Sequence, residues 1–565
     1  PTSHPLGYKL TITMLAIYLP GGPFMIMNMF GQRARANKRY GGAGGAKKAA
    51  PSGLLFPKNA KGDRSTTDAG KHIFATAVAA VSPDLAAAVT KERNWRFGYA
   101  KHVVRNVEAG LGSTADALAV ARAGLGAAMD SFEFVRDGKS LSLAAAMAGI
   151  KTSFETGFVK GSKPPVGAKK LRVPYKGTDL TEAALLEQLE KWATYGTIEP
   201  SAREAIAMVA EHPEWLDLSD RYFVLLGAGS AMGPLEVLLS LGANVIAVDI
   251  DRPHVWERLI NRTRNSPGTM TFPLSVSQAD CTTDEELFAA AGCNLFTQTP
   301  EIANWVASAQ PGKHLTIGGY AYLDGALHVQ VSLAMVAIMQ SVVKAGRDVS
   351  LAFLCSPTDV FVQPQDAVDA VKANAAAVPL WQTLVAAACC GRVLKPNTRK
   401  PVGGLTAVNG LVVPQGPNYA LAKRIQHWLA IIARHDDNVP VSSNIAPSTS
   451  TASVVHNAQF AAAYGGFHLF KPMEVMRPET SNAVMGALLI HDIRNTKGAA
   501  YPATKLDNPF QLFSAGAFHG GIWRCAFQIG SIGEVAATST YLRKFAVHVV
   551  VGLTALGLWV RWLSQ

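Results

Sequence analysis

The sequence predicts an α/β protein: a doubly wound parallel sheet preceded by an N-terminal helical region and followed by a C-terminal transmembrane helix. Three observations lead there. Residues Arg221 to Asp251 read as strand, glycine turn, helix and strand in that order. Apolar runs of strand length then alternate with helix-length segments as far as Asn495. Near the end, Phe545 to Val560 contains no formally charged residue.

Residues 1–65 form an apolar and basic extension. Tyr8 to Phe30 is apolar apart from Lys9, and Gly21-Gly22-Pro23 interrupts it. A broken or surface-lying membrane segment fits this pattern, and so does an apolar arm packed on protein. Gly31 to Ser65 reads as a linker. Arg33, Arg35, Lys38, Arg39, Lys47, Lys48, Lys58 and Lys61 supply much of the net charge of +12. Such a run marks a solvated tail, a membrane surface contact or an acidic partner. No aromatic residues alternate with these charges to stack bases, which argues against nucleic acid. Pro1 in the first position suggests a processed precursor of the kind organellar import leaves.

Residues 66–215 are expected to be helical, with an Ala-rich stretch from Thr67 to Phe158 and two helices within Leu180 to Ala210. The composition, 48% hydrophobic and 17% charged, is that of an apolar globular chain. Six cysteines show no C-x-x-C spacing and no H-E-x-x-H is present, so neither a metal site nor a disulfide framework is expected. Free thiols suit a reducing compartment.

The central unit spans 216–500. Tyr222-Phe-Val-Leu-Leu226 suits a buried strand and ends in Gly227-Ala-Gly229-Ser-Ala231-Met-Gly233. Glycines let a backbone turn sharply beside a pyrophosphate, whose charge sits on the N–H groups opening the next helix, here Pro234 to Leu241. Ala243 to Ile250 is the second strand, and Asp249 at its end stands where an acid takes ribose hydroxyls. This is a Rossmann-type arrangement for NAD or NADP. The acid leans toward NAD, whereas Arg252 would favour NADP. An S-adenosylmethionine-dependent methyltransferase shares the layout, but Leu225 stands where its acid belongs and Ala231 where its third glycine does.

From Tyr222 to Asn495 the order of motifs resembles the short-chain dehydrogenase/reductase family. Its T-G-x-x-x-G-x-G turn aligns with Leu226 to Gly233, with Ala231 at one glycine position. Asp280 resembles the acid that meets adenine in that family. The N-N-A-G of the fourth strand is replaced by Asn294-Leu-Phe-Thr-Gln-Thr299, which makes Leu315 to Tyr322 an added strand and turn. Val349 to Leu354 resembles the fifth strand and is followed by Ser356 at the catalytic serine position. Tyr419-Ala-Leu-Ala-Lys423 matches Tyr-x-x-x-Lys, with both side chains on one helix face. The resemblance implies that Tyr419 exchanges the proton, that Lys423 tunes it and holds cofactor, and that a hydroxyl orients the carbonyl. Ser356 precedes Tyr419 by some sixty residues, and Thr406, thirteen residues before it, has the family's usual spacing, so both stay open. Ser332 is the nearest counterpart of the family's helix asparagine. Val439 to Thr449 resembles the sixth strand and its ending.

An insertion is expected near 360–415, a helical extension over 501–544, and a membrane anchor over 545–562. Arg543-Lys544 and Arg561 flank that anchor, and Trp559 and Trp562 sit where an interfacial belt would. A buried terminal helix is the alternative. Two functions follow. One is an accessory subunit of an organellar, respiratory-type membrane complex with structural or vestigial nucleotide binding, its partners being other subunits and the bilayer. The mitochondrial inner membrane is the expected location and a plastid membrane the alternative. The other is an active reductase or dehydrogenase acting on a lipid-like ketone or alcohol.

Overall fold

Runs such as Phe223-Val-Leu-Leu226 are apolar on both faces, which suits only the interior of a sheet covered by helices on each side. The computed structural model describes residues 52–164 and 170–543. The expected anchor at 545–562 and the apolar segment 8–30 lie outside these residues.

In chain order the strands are β1 (Gly53–Leu55), β2 (Glu133–Arg136), β3 (Lys139–Ser142), β4 (Glu155–Lys160), β5 (Val173–Tyr175), β6 (Thr178–Leu180), β7 (Tyr222–Leu226), β8 (Asn244–Val248), β9 (Thr269–Leu274), β10 (Leu315–Gly319), β11 (Val349–Cys355), β12 (Val360–Gln363), β13 (Thr406–Asn409) and β14 (Val441–Ile445). Seven of them form a mostly parallel sheet in the order β14-β11-β10-β7-β8-β9-β4. Only β4, at one edge, runs antiparallel, pairing Glu155–Lys160 with Leu274–Thr269. The chain is thus a mixed α/β protein.

One face of the sheet buries Phe223, Leu225, Val245, Ala247 and Phe272 under the helices Leu235–Ser240, Pro253–Arg264 and Pro478–Arg494. The other face carries Ala326–Lys344 and Pro417–His435. Ala326–Lys344 is the one helix among the described residues long and apolar enough to cross a membrane, but 72% of its apolar window is buried inside the protein. It is a core helix. The N-terminal helices Thr66–Ala79, Trp95–Ala109 and Thr114–Ser131 pack behind Pro417–His435. Gly124 is needed there, because a Cβ would lie 2.7 Å from the Trp428 ring.

Three expectations change. The span Thr67 to Phe158 is not all helix: β2, β3 and the start of β4 fall within it. Residues 501–528 hold the 3-10 turn Pro509–Phe513 and no longer helix, which begins only at 529. Most consequential, Leu315–Gly319 is no addition. It is β10, hydrogen-bonded between β7 and β11, and so occupies the fourth parallel position. Residues 294–298 instead form a loop. The Asn294 side-chain oxygen accepts the N–H groups of Phe296 and Thr297, and the Gln298 side chain accepts that of Asn294. An asparagine in such a turn satisfies local backbone donors and needs no strand.

The chain divides into two compact units. Residues 51–452 and 467–532 hold the sheet; 453–466 and 533–543 are the described part of the other. In the latter, Ala458–Gly466 and the helical residues 533–543 approach closely: a Cβ on Gly466 would lie 2.2 Å from the Ala536 carbonyl oxygen.

Candidate functional site

Because six strands are parallel, the segments following β7, β8, β9, β10, β11 and β14 share one edge of the sheet. The chain reverses its direction of travel across the sheet between β7 and β10, and ligands of open α/β sheets bind at such a point. Gly227 sits there with φ +93°. A Cβ on it would lie 2.5 Å from the backbone nitrogen of Ala321, so only glycine lets the turn after β7 meet the segment after β10. The N–H groups of Tyr320 and Ala321 both donate to the Leu226 carbonyl, locking the two together.

The candidate cofactor residues do lie along this edge. Asp249 follows β8, and one of its carboxylate oxygens accepts the Gly229 N–H at 2.6 Å while the other accepts that of Ile250. Arg252 is exposed and caps the helix Pro253–Arg264. Asp280 is exposed on a 3-10 turn after β9, a turn held by Gln278, whose amide pairs with the Phe158 backbone of β4 in both directions. Ala231 is exposed, and its carbonyl accepts from Asn482. The loop after β8 is braced by Trp256, whose indole N–H donates to Ile250.

The Asp249 carboxylate is engaged by two backbone N–H groups, and the helix after the glycine turn is shorter than expected, Leu235–Ser240. The cavity beside the end of this turn is small. Met232, Gly233, Tyr320, Leu354, Asn444 and Asn482 line a cavity of about 20 Å³, whereas a ligand pocket of ordinary size spans roughly 300–1,000 Å³. Tyr320 forms part of its wall. Its ring folds back over Gly318, where a Cβ would lie 2.2 Å from the ring.

The second half of the site gathers after β11. Ser356 and Thr358 share a hydrogen bond of 2.8 Å, and Thr358 accepts from Gln415, two residues before the helix Pro417–His435 that carries Tyr419. Ser356 therefore lies near Tyr419. Thr406 does not belong to this group. It sits on β13 opposite Gln363, three register positions from the Val360–Asn409 pair and thus about 10 Å further along the ribbon. The long interval between Ser356 and Tyr419 has a simple origin. The Gly410 N–H donates to the Asp359 carbonyl, so residues 360–409 leave and return at one point. Without that excursion, Ser356 would stand thirteen residues before Tyr419.

Tyr419 and Lys423 keep some accessible surface but are ringed by protein atoms. Burial raises the Tyr419 pKa, opposed by the hydrogen bonds from Ser356 and Thr358. Burial lowers that of Lys423. The ammonium lies 5.9 Å from the Tyr419 ring centre and donates to the Leu354 carbonyl at 3.3 Å and to Gln426 at 3.5 Å. Gln426 in turn donates to Ser332 at 3.4 Å, which links the asparagine counterpart to Lys423.

Several neighbours had no signal in the sequence. His328, at the start of the helix Ala326–Lys344, stacks 5.4 Å from the Tyr419 ring and 4.7 Å from that of Tyr322. Both its ring nitrogens are buried without a hydrogen-bond partner, and burial lowers its pKa to about 3. Asp359 forms a fully buried ion pair with Arg424 at 2.5 Å, and Arg424 also donates to His427 at 2.7 Å. This ties the Ser356–Thr358 loop to the Tyr419 helix. Gln426 alone was accessible to inspection, since it falls one turn after Lys423. Among the described residues no group of three or more His, Cys, Asp or Glu side chains could hold a metal ion.

Comparison of the chain with family models, curated proteins and solved structures gave no match.

Proposed function

We propose that the chain is an NAD(P)(H)-dependent oxidoreductase of the short-chain dehydrogenase/reductase type, acting on a carbonyl or alcohol. One observation carries this reading: Ser356, Tyr419 and Lys423, from two elements distant in sequence, converge beside the C-terminal end of β11. The strand order supports it, since β9-β8-β7-β10-β11-β14 matches the 3-2-1-4-5-6 order of the doubly wound Rossmann fold.

A bound nicotinamide would supply or accept the hydride. Asp249 would take ribose hydroxyls, which also favours NAD over NADP, and the turn from Gly227 to Gly233 would face the pyrophosphate. In the reducing direction Tyr419 would give its phenolic proton to the carbonyl oxygen of a bound substrate. Burial makes the phenol a weaker acid than in water, so the lowering that the resemblance implied from Lys423 is not seen in this closed arrangement. Ser356 holds the oxygen in line, with Thr358 fixing the serine. Lys423, seated on the Leu354 carbonyl, brings positive charge to the same corner.

The test is turnover of NADH or NADPH by the purified full chain with a panel of aldehydes and ketones. Tyr419→Phe should lower kcat by about 10²–10⁴ while leaving dinucleotide binding intact. Equal activity in that variant would refute the assignment.

A second reading, an accessory subunit of an organellar membrane complex with structural or vestigial nucleotide binding, is favoured by the narrow crevice and by Asp249 being engaged with its own turn. It predicts no turnover with any carbonyl, release of dinucleotide on denaturation, and co-migration with a large membrane assembly.

A further inference from the structure

The helix Leu380–Ala388, within the excursion 360–409, is turned inside out. Its one buried residue is Gln382, whose amide donates to the Leu469 carbonyl at 2.9 Å. Leu380 is 73% exposed, Leu384 59% and Trp381 38%. At 100° per residue, Leu380, Leu384, Ala387 and Ala388 form the middle of the exposed arc. Trp381 lies at its margin, edge-on to Phe470 at 5.9 Å. A helix of a water-facing surface shows the opposite pattern, polar outward and apolar inward.

Along the sequence, the charge that follows this helix has one sign. Between Asp369 and Asp436 the chain has no acidic residue. Arg392, Lys395 and Lys400 follow the helix by 4, 7 and 12 residues, are exposed, and have no ion pair among the described residues. The face is also small. Nine residues make a helix about 14 Å long, which at roughly 10 Å wide falls far short of the ~800 Å² per partner of a stable protein interface. Two leucines, a marginal tryptophan and unpaired basic side chains are instead the components of a helix that lies in the headgroup region of a membrane.

We infer that Leu380–Ala388 docks on an anionic lipid surface, with Leu380 and Leu384 entering the acyl boundary and Arg392, Lys395 and Lys400 facing the headgroups. The contact is independent of any dinucleotide chemistry.

The experiment uses the full chain with extruded vesicles of phosphatidylcholine, with and without 30% phosphatidylglycerol (about one anionic lipid in three). Two readouts are needed, because other apolar segments of the chain could hold vesicles by themselves. The first is quenching of tryptophan emission by brominated phosphatidylcholine, taken as the difference between the parent and Trp381→Phe. The second is flotation of Leu380→Glu/Leu384→Glu and of Arg392→Glu/Lys395→Glu. The Trp381 contribution should be quenched only with anionic vesicles. The leucine variant should lower vesicle partition at least about tenfold, and the charge reversals should lower it about fivefold per residue. Absence of a quenched Trp381 contribution would overturn the inference. So would a dimer in sedimentation that the leucine variant dissolves, since the face would then belong to a second copy. Circular dichroism of these surface variants checks that they fold.

Discussion

At the scale of single residues, the useful question was which hydroxyl serves Tyr419. Spacing along the chain favoured Thr406 and motif order favoured Ser356. The Asp359–Gly410 hydrogen bond makes residues 360–409 a side excursion from the path between Ser356 and Tyr419, which favours Ser356. Ser356→Ala should therefore lower carbonyl turnover by about 10²–10³, the usual cost of one positioned donor. Thr406→Ala should change it by no more than about twofold. Steady-state rates of both variants at saturating dinucleotide make the comparison, and the reverse ranking would remove Ser356 from the site. The Tyr-x-x-x-Lys pair was readable because i and i+4 on a helix are neighbours whatever the rest of the fold does. His328 was not, since its stacking on Tyr419 joins two helices ninety residues apart.

At the scale of elements, β10 shows how local chemistry misleads. Gly318-Gly319 before an aromatic reads as a turn. In the sheet these glycines are buried, and Gly318 lacks a side chain so that the Tyr320 ring can fold over it. The same ring narrows the crevice beside Gly233. Tyr320→Ala should therefore tighten NADH binding by about tenfold, by removing the competitor for the crevice. It should also lower thermal stability, because a large core side chain is lost. Titration of NADH fluorescence with parent and variant measures the first effect. Unchanged affinity would mean that the Ser230–Pro234 turn, and not Tyr320, controls entry.

At the scale of the molecule, the excursion 360–409 and the segment 519–531 are built against each other. Gln363 donates to Trp523, Asn374 to Arg524, and Asn397 to Ile522 and Cys525. Glu199, Arg524 and His519 form a buried charged cluster at the same place, with His519 2.7 Å and Arg524 2.6 Å from the carboxylate. Three histidines, His328, His427 and His519, are held below their ordinary pKa chiefly by burial. Each is neutral in the fold, so the unfolded chain binds more protons once the pH drops below about 6.5. Their stabilisation is complete above that value and is lost as pH falls toward the folded pKa, about 3 for His328. The loss for His328 is about 1.4 kcal/mol per pH unit. Urea midpoints should fall between pH 7.5 and 5.5, and the fall should be smaller in His328→Phe, which also removes two unsatisfied buried nitrogens. An equal fall in parent and variant would show that His328 is already charged in the fold.

What the sequence determined by itself was local: the strand–turn–helix–strand unit from Tyr222 to Asp249, the helix bearing Tyr419 and Lys423, and the positions of β11 and β14. Each rests on periodicity or turn chemistry within a dozen or so residues, where neighbours in sequence are neighbours in space. The tertiary structure decided which apolar run became the fourth strand, that residues 360–409 leave and return at one point between Ser356 and Tyr419, that the Tyr320 ring folds over Gly318, and that Leu380 and Leu384 face outward. Most of these are distances between residues far apart along the chain. They depend on how buried area, hydrogen bonds and close approaches are satisfied together, and no window of sequence contains that information.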